Sequence, residues 1–370
     1  MDDLLYCVGC GSRIQTIDKK AIGYIPKAAL DKQLESDKDI YCQRCFRLRH
    51  YNEIIPTSLT NEDFLNVLSE IKNKHSLVVY LIDIFDFNGS LIPNLRNLIG
   101  ENDLLLVANK IDVLPHSIKL KRIVDWLQNT AQIKQLNPID IALISAKKST
   151  NISHLMNLLE KYRQGNDVYI IGTTNVGKST LINQIIQKSS GLSSVITVSK
   201  FPGTTLDNIK IPLNDGHYLI DTPGIIQSGQ IAHKLQPEEL KYAIPQKEIK
   251  PKTYQLNEGQ TLFVGGLVRL DIVKKDTNNR VGITSYFENN LYLHRTKTIN
   301  ANNIYQKHVG ELLKPPTNKV DFDLVAHKFI TKEKSDLVIE GLGWFTLPKG
   351  IQATVWSFPG VNVLIRTALI

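Results

Sequence analysis

The stretch Gly172-Thr-Thr-Asn-Val-Gly-Lys-Ser179 decides the fold of this 370-residue chain. It has the spacing Gly-x4-Gly-Lys-Ser and lies between an apolar strand-like run, residues 167–171, and a segment with apolar residues at helical spacing. In that context the glycines let backbone N–H groups face a phosphate, and the start of the helix adds free donors and a favourable dipole. Lys178 would reach the β- and γ-phosphates, and Ser179 would bind Mg²⁺. Since a plain glycine turn explains neither side chain, the pattern predicts a phosphate-binding loop.

Two short segments downstream fit the same site. Asp221-Thr-Pro-Gly224 follows an apolar run, residues 218–220. The aspartate can hold Mg²⁺ through water, and the Gly224 N–H can face the γ-phosphate. Pro202-Gly-Thr-Thr205 lies between this segment and the phosphate loop. Either segment alone would be an ordinary turn, but their order after the loop makes both informative.

Two segments upstream predict recognition of guanine. Asn109-Lys110-Ile111-Asp112 and Ser145-Ala146-Lys147 each follow an apolar strand-like run. The Asp112 carboxylate can accept hydrogen bonds from the guanine N1–H and 2-amino groups. Adenine offers no such pair of donors, so a buried unpaired carboxylate would penalise it. The Ala146 N–H could contact guanine O6, Lys110 could cover the ring with its stem, and Asn109 could brace the loops.

The expected nucleotide contacts therefore fall into two groups. Residues expected around the base are Asn109, Lys110, Asp112, Ser145, Ala146 and Lys147. Residues expected around the phosphates are Thr174, Asn175, Val176, Gly177, Lys178, Ser179 and Thr180.

Together the five segments resemble the complete motif set of a GTPase, in an unusual order. An ordinary GTPase begins with the glycine-rich segment, whereas here the guanine pair comes first. A helix predicted from a cap at Asn151 to about residue 164 runs directly into the strand before the phosphate loop. We therefore expect a circularly permuted P-loop GTPase of the α/β class, with a doubly wound, mostly parallel sheet.

The resemblance implies GTP hydrolysis, with GTP or GDP and Mg²⁺ as cofactors. The residues it implies for catalysis are Lys178, Thr205, Asp221 and Gly224, with Thr205 as a second Mg²⁺ ligand beside Ser179 and Thr204 as the fallback. Ras-like enzymes have a water-positioning glutamine after Asp-x-x-Gly, and Ile225 occupies that position here. This resembles GTPases with a hydrophobic substitution, several of which use potassium near a P-loop asparagine matching Asn175. We expect slow intrinsic hydrolysis that potassium or a partner accelerates.

All four cysteines lie in the first 45 residues, as Cys7-Val-Gly-Cys10 and Cys42-Gln-Arg-Cys45. Two such pairs can supply the tetrahedral four-sulfur shell that zinc favours. Disulfides are disfavoured in a reducing cytosol, a redox pair would not require two copies, and inert cysteines would not repeat one spacing. His50 is an alternative ligand. The pattern predicts a structural zinc site.

Composition places the chain among globular proteins, at 42% hydrophobic and 22% charged. We expect a cytoplasmic protein without a membrane span, because no apolar run reaches about 18 residues and the acidic start lacks a signal-peptide pattern. The net charge is +8, and residues 229–370 hold 19 Lys and Arg against 13 Asp and Glu. This excess favours a polyanionic partner, although a merely basic surface explains it equally.

Residues 229–370 read as a β-rich module with several strand-like runs and one short helix at residues 235–242. Aromatic and basic residues that interleave here could stack on RNA and neutralise it: Tyr286, Phe287, Tyr292, His294, Arg295 and Lys297. The alternative is an ordinary half-buried sheet with outward lysines.

A four-cysteine module, a permuted GTPase and a basic C-terminal part resemble the YqeH family of bacterial ribosome-biogenesis GTPases. We expect three domains: a zinc module at residues 1–55, the GTPase at 56–228 and an RNA- or ribosome-binding module at 229–370. The resemblance implies a role in maturing the small ribosomal subunit, with ribosomal RNA or the pre-ribosome as partner. The alternatives are a zinc-containing nucleic-acid-binding protein with GTP as a regulatory ligand, and a signalling GTPase with protein partners only.

Overall fold

A computed structural model describes residues 5, 7, 13–19, 21, 23–35, 40–43, 46, 68–189, 203–204, 209–222, 224–225, 227–318 and 323–370. By its internal contacts the chain divides into two units. The first, the α/β unit, comprises Met1–Ile84, Ser90–Ile111 and Leu127–Ile226. The second, the β unit, comprises Phe85–Gly89, Asp112–Trp126 and Gln227–Ile370. The division into three domains expected above stays a prediction.

The α/β unit is built on a seven-stranded sheet. Its strands are β1 (Ser76–Asp83), β2 (Asp103–Asn109), β3 (Asp140–Leu143), β4 (Asp167–Ile171), β5 (Gly203–Thr204), β6 (Ile209–Pro212) and β7 (Tyr218–Asp221). They lie in the order β3-β2-β1-β4-β7-β6-β5. The first five strands in this order, β3-β2-β1-β4-β7, are parallel, whereas β6 pairs antiparallel with both β7 and β5. The predicted mostly parallel sheet is confirmed.

The central strands are apolar on both faces because helices cover the sheet. All eight residues of β1 are buried, as expected for a parallel strand between two helical layers. The helices are α1 (Lys27–Glu35), α2 (Leu95–Ile99), α3 (Leu120–Ile133), α4 (Ile152–Arg163) and α5 (Lys178–Ser189); α3 crosses the boundary between the two units. No helix in the described part of the chain is long and apolar enough to cross a membrane.

Helix α4 forms where its apolar periodicity predicts it, and its stripe enters the core of the α/β unit. Asn151 is at the N-cap position, as predicted, but its side chain does not act as a cap. Asn151 has φ 59° and makes no side-chain capping hydrogen bond; its Nδ2 donates instead to the Leu143 carbonyl at 2.9 Å. Arg163, at the other end of the helix, binds Asp215 in the turn between β6 and β7 at 2.5 Å.

The β unit contains two five-stranded antiparallel sheets, which confirms the predicted β-rich module. Its strands are β8 (Lys252–Leu256), β9 (Gln260–Val264), β10 (Val268–Lys275), β11 (Val281–Phe287), β12 (Leu293–Lys297), β13 (Val325–Ile330), β14 (Ser335–Ile339), β15 (Gly343–Leu347), β16 (Ile351–Ser357) and β17 (Val363–Thr367). One sheet has the order β12-β9-β10-β16-β13, and the other has the order β17-β14-β15-β11-β8. Apolar residues of both sheets form one core.

Short helical elements complete the β unit. The predicted helix at 235–242 is a 3₁₀ turn, Pro237–Glu239, followed by helix α6 (Leu240–Ala243). Gln236 and Glu239 form a capping box there. Helix α7 (Thr298–His308) follows β12 and has no counterpart in the sequence prediction.

Two segments that follow β1 and β2 belong to the β unit. Phe85 lies 5.2 Å from Trp344 between ring centroids, and the Asp86 carboxylate accepts the Gly341 N–H at 2.9 Å. The Trp126 indole donates to the Thr367 carbonyl at 3.1 Å. The β unit is therefore completed by chain that precedes it by more than 100 residues.

Arg366 lies among the residues that join these two segments to the rest of the β unit. It pairs with the buried Asp336, donates to Asn88 at 2.8 Å, and lies 5.1 Å from the ring centroids of both Trp126 and Trp344. The cation–π contacts of the guanidinium with these two indole rings compensate part of the cost of burying it.

Tyr286 and Phe287 correct one part of the sequence prediction. Tyr286 stacks on Trp344 at 4.9 Å and Phe287 contacts Phe345 edge-on at 4.8 Å, and both are buried. They serve the core because β11 is an inner strand, so neither can stack on RNA.

Candidate GTP-binding site

The predicted motifs meet at one edge of the seven-stranded sheet. Strands β2, β1, β4 and β7 are mutually parallel neighbours, so their carboxyl ends lie side by side. The guanine segment follows β2, the phosphate loop follows β4 and the Asp221 segment ends β7. The carboxyl edge of a doubly wound sheet is where ligands bind in this architecture.

The phosphate loop needs glycine at two positions. A Cβ at Gly172 would lie 2.5 Å from the Leu81 carbonyl oxygen. Gly177 has φ +98°, and a Cβ there would lie 2.5 Å from Asn109 Nδ2. Asn175 also lies in the left-handed region, with φ 66°. The loop is thus a tight turn whose backbone closely approaches its neighbours.

Lys178 opens helix α5 and points back into the loop. Its Nζ donates to the carbonyls of Gly172 at 2.8 Å and Thr173 at 3.3 Å. Burial lowers the pKa of Lys178 to about 8, and the nearby Asp221 opposes this shift. An anionic group placed beside this ammonium would favour its charged form, which suits a phosphate ligand.

Asn109 joins the phosphate loop to the segment at 145–147. Its side chain is 2% exposed; Nδ2 donates to the Val176 carbonyl at 2.8 Å, and Oδ1 accepts the Ala146 N–H at 2.9 Å. The bracing expected of Asn109 is therefore present in the geometry. The Ala146 N–H, expected at guanine O6, donates to Asn109, so a contact with the base must share or replace that hydrogen bond.

Lys110 makes a second bridge that the sequence did not predict. Its Nζ donates to Asp83 Oδ2 at 2.7 Å and to the Asn175 carbonyl at 2.6 Å. Asp83 ends β1, between the two motif-bearing strands. Sequence reasoning gave it no role, although its place as the last residue of a buried strand was the available signal.

The Gly224 segment lies against the phosphate loop. The Thr174 N–H donates to the Ile225 carbonyl at 2.8 Å. A Cβ at Gly224 would lie 2.9 Å from Lys178 Nζ. A side chain at this position would displace the Lys178 ammonium, so glycine keeps the space beside it open.

Buried polar atoms support the fit of a guanine nucleotide with Mg²⁺. Among the described residues, three buried side-chain oxygens of the predicted segments have no hydrogen-bond partner: Asp112 Oδ1, Thr173 Oγ1 and Thr174 Oγ1. Leaving such atoms unpaired is costly, so a ligand with donors for Asp112 and a cation or water near the loop would relieve that cost. Asp221 lies at the end of β7, almost buried.

The remaining predicted site residues differ in how exposed they are to solvent. Val176 and Ser145 are buried, Ser179 is half-buried, and Lys147 and Thr180 are exposed. Thr205 lies outside the described residues, and the backbone of Thr204 pairs with Ile209.

The cysteine site is described only in part. Cys7 and Cys42 are buried, and the Cys42 N–H donates to Cys7 Sγ at 3.2 Å. Cys10, Cys45 and His50 lie outside the described residues. Within the part of the chain that the structure describes, no group of three or more metal-ligating side chains is present.

Comparisons with known proteins agree with the site. A family model described as "YqeH-like, C-terminal" matches residues 280–369, and one described as "50S ribosome-binding GTPase" matches residues 167–258. The chain is 49% identical over 370 residues to the "Uncharacterized protein YqeH" of Bacillus subtilis (strain 168), covering 98% of this chain and 99% of that protein. It is 30% identical over 389 residues to "NO-associated protein 1, chloroplastic/mitochondrial" of Arabidopsis thaliana, covering 92% of this chain and 69% of that protein.

A solved structure also matches, that of GNP-bound YlqF from T. maritima. It is 20% identical, covers 45% of this chain and 58% of that chain, and has a TM-score of 0.31. The motif order along the strands of the sheet and the identity over nearly the whole chain lead to one conclusion: this chain belongs to the YqeH family of circularly permuted GTPases.

Proposed function

We propose that this chain is a GTP-hydrolysing factor in assembly of the small ribosomal subunit, and that it binds ribosomal RNA or the pre-ribosome in a nucleotide-dependent way. The observation that carries the proposal is the convergence of a guanine motif and a phosphate loop at one sheet edge, on a chain that also has a basic β unit. The family model that matches residues 167–258 is named for binding the 50S subunit, so it supports a ribosomal partner in general, while the choice of the small subunit rests on the family resemblance.

The site residues have distinct roles in this proposal. Lys178 and the loop backbone hold the phosphates, while Asp112 reads the guanine edge. Ser179 and Thr205 would hold Mg²⁺, and Asp221 would hold it through water. Bound GTP with Mg²⁺ supplies the phosphoanhydride bond that is hydrolysed.

Hydrolysis is slow in this proposal because Ile225 cannot orient a water molecule. Asn175 would hold a potassium ion, whose positive charge would compensate for this loss. Turnover measured in potassium and in sodium tests this, and equal rates together with a silent Asn175→Ala variant would exclude the potassium role.

We assign RNA binding to the region around β8 and β12, which are edge strands of the two different five-stranded sheets. The rings of Tyr292 and His294 stack at 6.0 Å, and Tyr292 is 44% exposed. Arg295 donates to the Gln255 carbonyl of β8 at 3.5 Å, which links the two edges. Exposed Lys297 adds positive charge. An exposed aromatic ring backed by a half-buried one, with cations beside it, is the pattern that stacks on unpaired bases.

Co-sedimentation with purified small and large subunits tests the partner. We expect association with the small subunit that differs between a GTP analogue, GDP and no nucleotide, and that weakens in an Arg295→Ala/Lys297→Ala variant. Lys328→Ala, on the edge strand β13 at the other end of the same sheet, is the matched control. Binding to the large subunit alone, or to neither subunit, contradicts the proposal.

We also propose structural zinc at Cys7, Cys10, Cys42 and Cys45. The Cys42 N–H donating to Cys7 Sγ is the kind of contact that stabilises a metal-bound thiolate. Metal analysis of purified protein should give about one zinc per chain, and a Cys7→Ser/Cys42→Ser variant should lose it. Full zinc content in that variant would refute the assignment.

A second candidate is a zinc-containing nucleic-acid-binding protein in which GTP is mainly a regulatory ligand. Ile225 in place of the glutamine favours it. Subunit binding that depends on the nucleotide but proceeds without turnover would select this candidate over the first.

A further inference from the structure

We propose that Glu248 is a positioning residue for guanine specificity, acting through the loop that carries Asp112. The proposal rests on the proposed recognition of guanine by Asp112. It adds that the C-terminal part of the chain sets the strength of that recognition.

The contacts begin one residue after the carboxylate. Asp112 lies in a 3₁₀ helix, Ile111–Val113. The Val113 carbonyl accepts the Ile249 N–H at 2.9 Å. Glu248 Oε1 accepts the His116 backbone N–H at 2.7 Å, and its other oxygen lies 3.0 Å from His116 Nδ1. Residues 248–249 thus hold the loop on the downstream side of Asp112 at two backbone points.

The holding segment is itself fixed. Ile249 is buried, as are Val113 and Leu114, so the contact excludes water. Asn289, in the turn between β11 and β12, donates to the Glu248 carbonyl at 2.8 Å and accepts the Lys250 N–H at 2.8 Å. Because Asn289 bonds the backbone on both sides of Ile249, the segment at 248–250 is held in one conformation.

This backbone control matters because of how Asp112 is placed. Its Oδ1 is buried and has no hydrogen-bond partner among the described residues. Contacts to that oxygen therefore do not orient it, and the backbone of the loop must. A displacement of about 1 Å is enough to weaken a hydrogen bond strongly.

Comparing GDP with inosine diphosphate isolates this effect. Inosine diphosphate lacks the 2-amino group, so Asp112 can accept only one hydrogen bond from its base. Hydrogen bonds to charged groups change affinity by roughly tenfold or more. We expect the GDP-to-inosine-diphosphate affinity ratio to fall about tenfold in Glu248→Ala and to stay near the wild-type value in Glu248→Gln, which keeps an acceptor for the His116 N–H.

The experiment titrates fluorescent GDP and inosine diphosphate into the full-length protein. Lys247→Ala, an exposed neighbour, is the matched control and should keep the wild-type ratio. An unchanged ratio in Glu248→Ala, or equal loss of affinity for both nucleotides, overturns the positioning role. If Glu248→Ala does not fold, Asn289→Ala carries the test, and an unchanged ratio there overturns the proposal.

The Asp112→Ala variant distinguishes failure of the Glu248 proposal from failure of the proposed guanine recognition by Asp112. If Asp112→Ala lowers the ratio and Glu248→Ala does not, only the positioning role is wrong. If Asp112→Ala leaves the ratio unchanged, the assignment of guanine recognition to Asp112 fails.

Discussion

Asn109 shows how one residue can connect two parts of a site. Its amide uses one donor and one acceptor to join the phosphate loop to the segment at 145–147, with almost no exposure to water. In Asn109→Ala the Val176 carbonyl and the Ala146 N–H lose their partner. We expect the free energy of unfolding to fall by about 2–4 kcal/mol and nucleotide affinity to fall with it.

Denaturant unfolding and nucleotide titration of the same preparation check this prediction. Asn157→Ala, on the exposed face of α4, is the control and should change neither quantity. Wild-type stability in Asn109→Ala would show that water replaces both hydrogen bonds.

Residue-level prediction from sequence succeeded where a motif fixes the chemistry. The two glycines and Lys178 lie in a tight loop at the head of a helix, as the spacing predicted. Asp83 was missed because its one signal, its place at the end of a buried strand, does not indicate a partner, and Lys110 is distant in sequence. Tyr286 was misread because composition cannot show which face of a strand is buried.

At the scale of elements, strands β14 and β17 are joined by a buried cross-strand pair. Asp336 and Arg366 are direct partners in the register, and Asp336 is completely buried. We expect Arg366→Met to destabilise the protein by about 3–5 kcal/mol, because it leaves an uncompensated buried carboxylate. The double variant Arg366→Met/Asp336→Leu should lose less than the single one.

Denaturant unfolding of the wild type, both single variants and the double variant forms a complete cycle. Additive losses would mean that the pair has no coupling and that Asn88 and the two indoles hold Arg366 without Asp336.

Element-level prediction was good where periodicity was strong. The apolar runs before each motif became β2, β3, β4 and β7, and α4 followed its stripe. Helix α7 escaped prediction because three of its residues are asparagines, which have low helix propensity, and tertiary contacts decide its conformation.

At the scale of the molecule, the β unit requires chain from residues 85–89 and 112–126. We expect a fragment of residues 227–370 to lack cooperative unfolding, because Trp344 and Arg366 lose their aromatic and polar partners. Thermal unfolding followed by near-ultraviolet circular dichroism measures this. A sharp transition at the full-length midpoint would contradict the prediction.

Sequence alone could not predict this sharing of chain between the two units. Motif order locates the guanine segment, but nothing in residues 112–126 indicates that they pack with strands formed much later in the chain. Such partners are set by tertiary contacts rather than by local pattern.

The same feature has a consequence for biosynthesis. Trp126 finds its acceptor, the Thr367 carbonyl, 241 residues later, so the ribosome must add all of that intervening chain before the contact can form. Closing so long a loop slows folding. Phe85 and Trp126 therefore lack these late partners while the intervening chain is made, and the nascent chain between them is a substrate for chaperones that hold exposed aromatic segments.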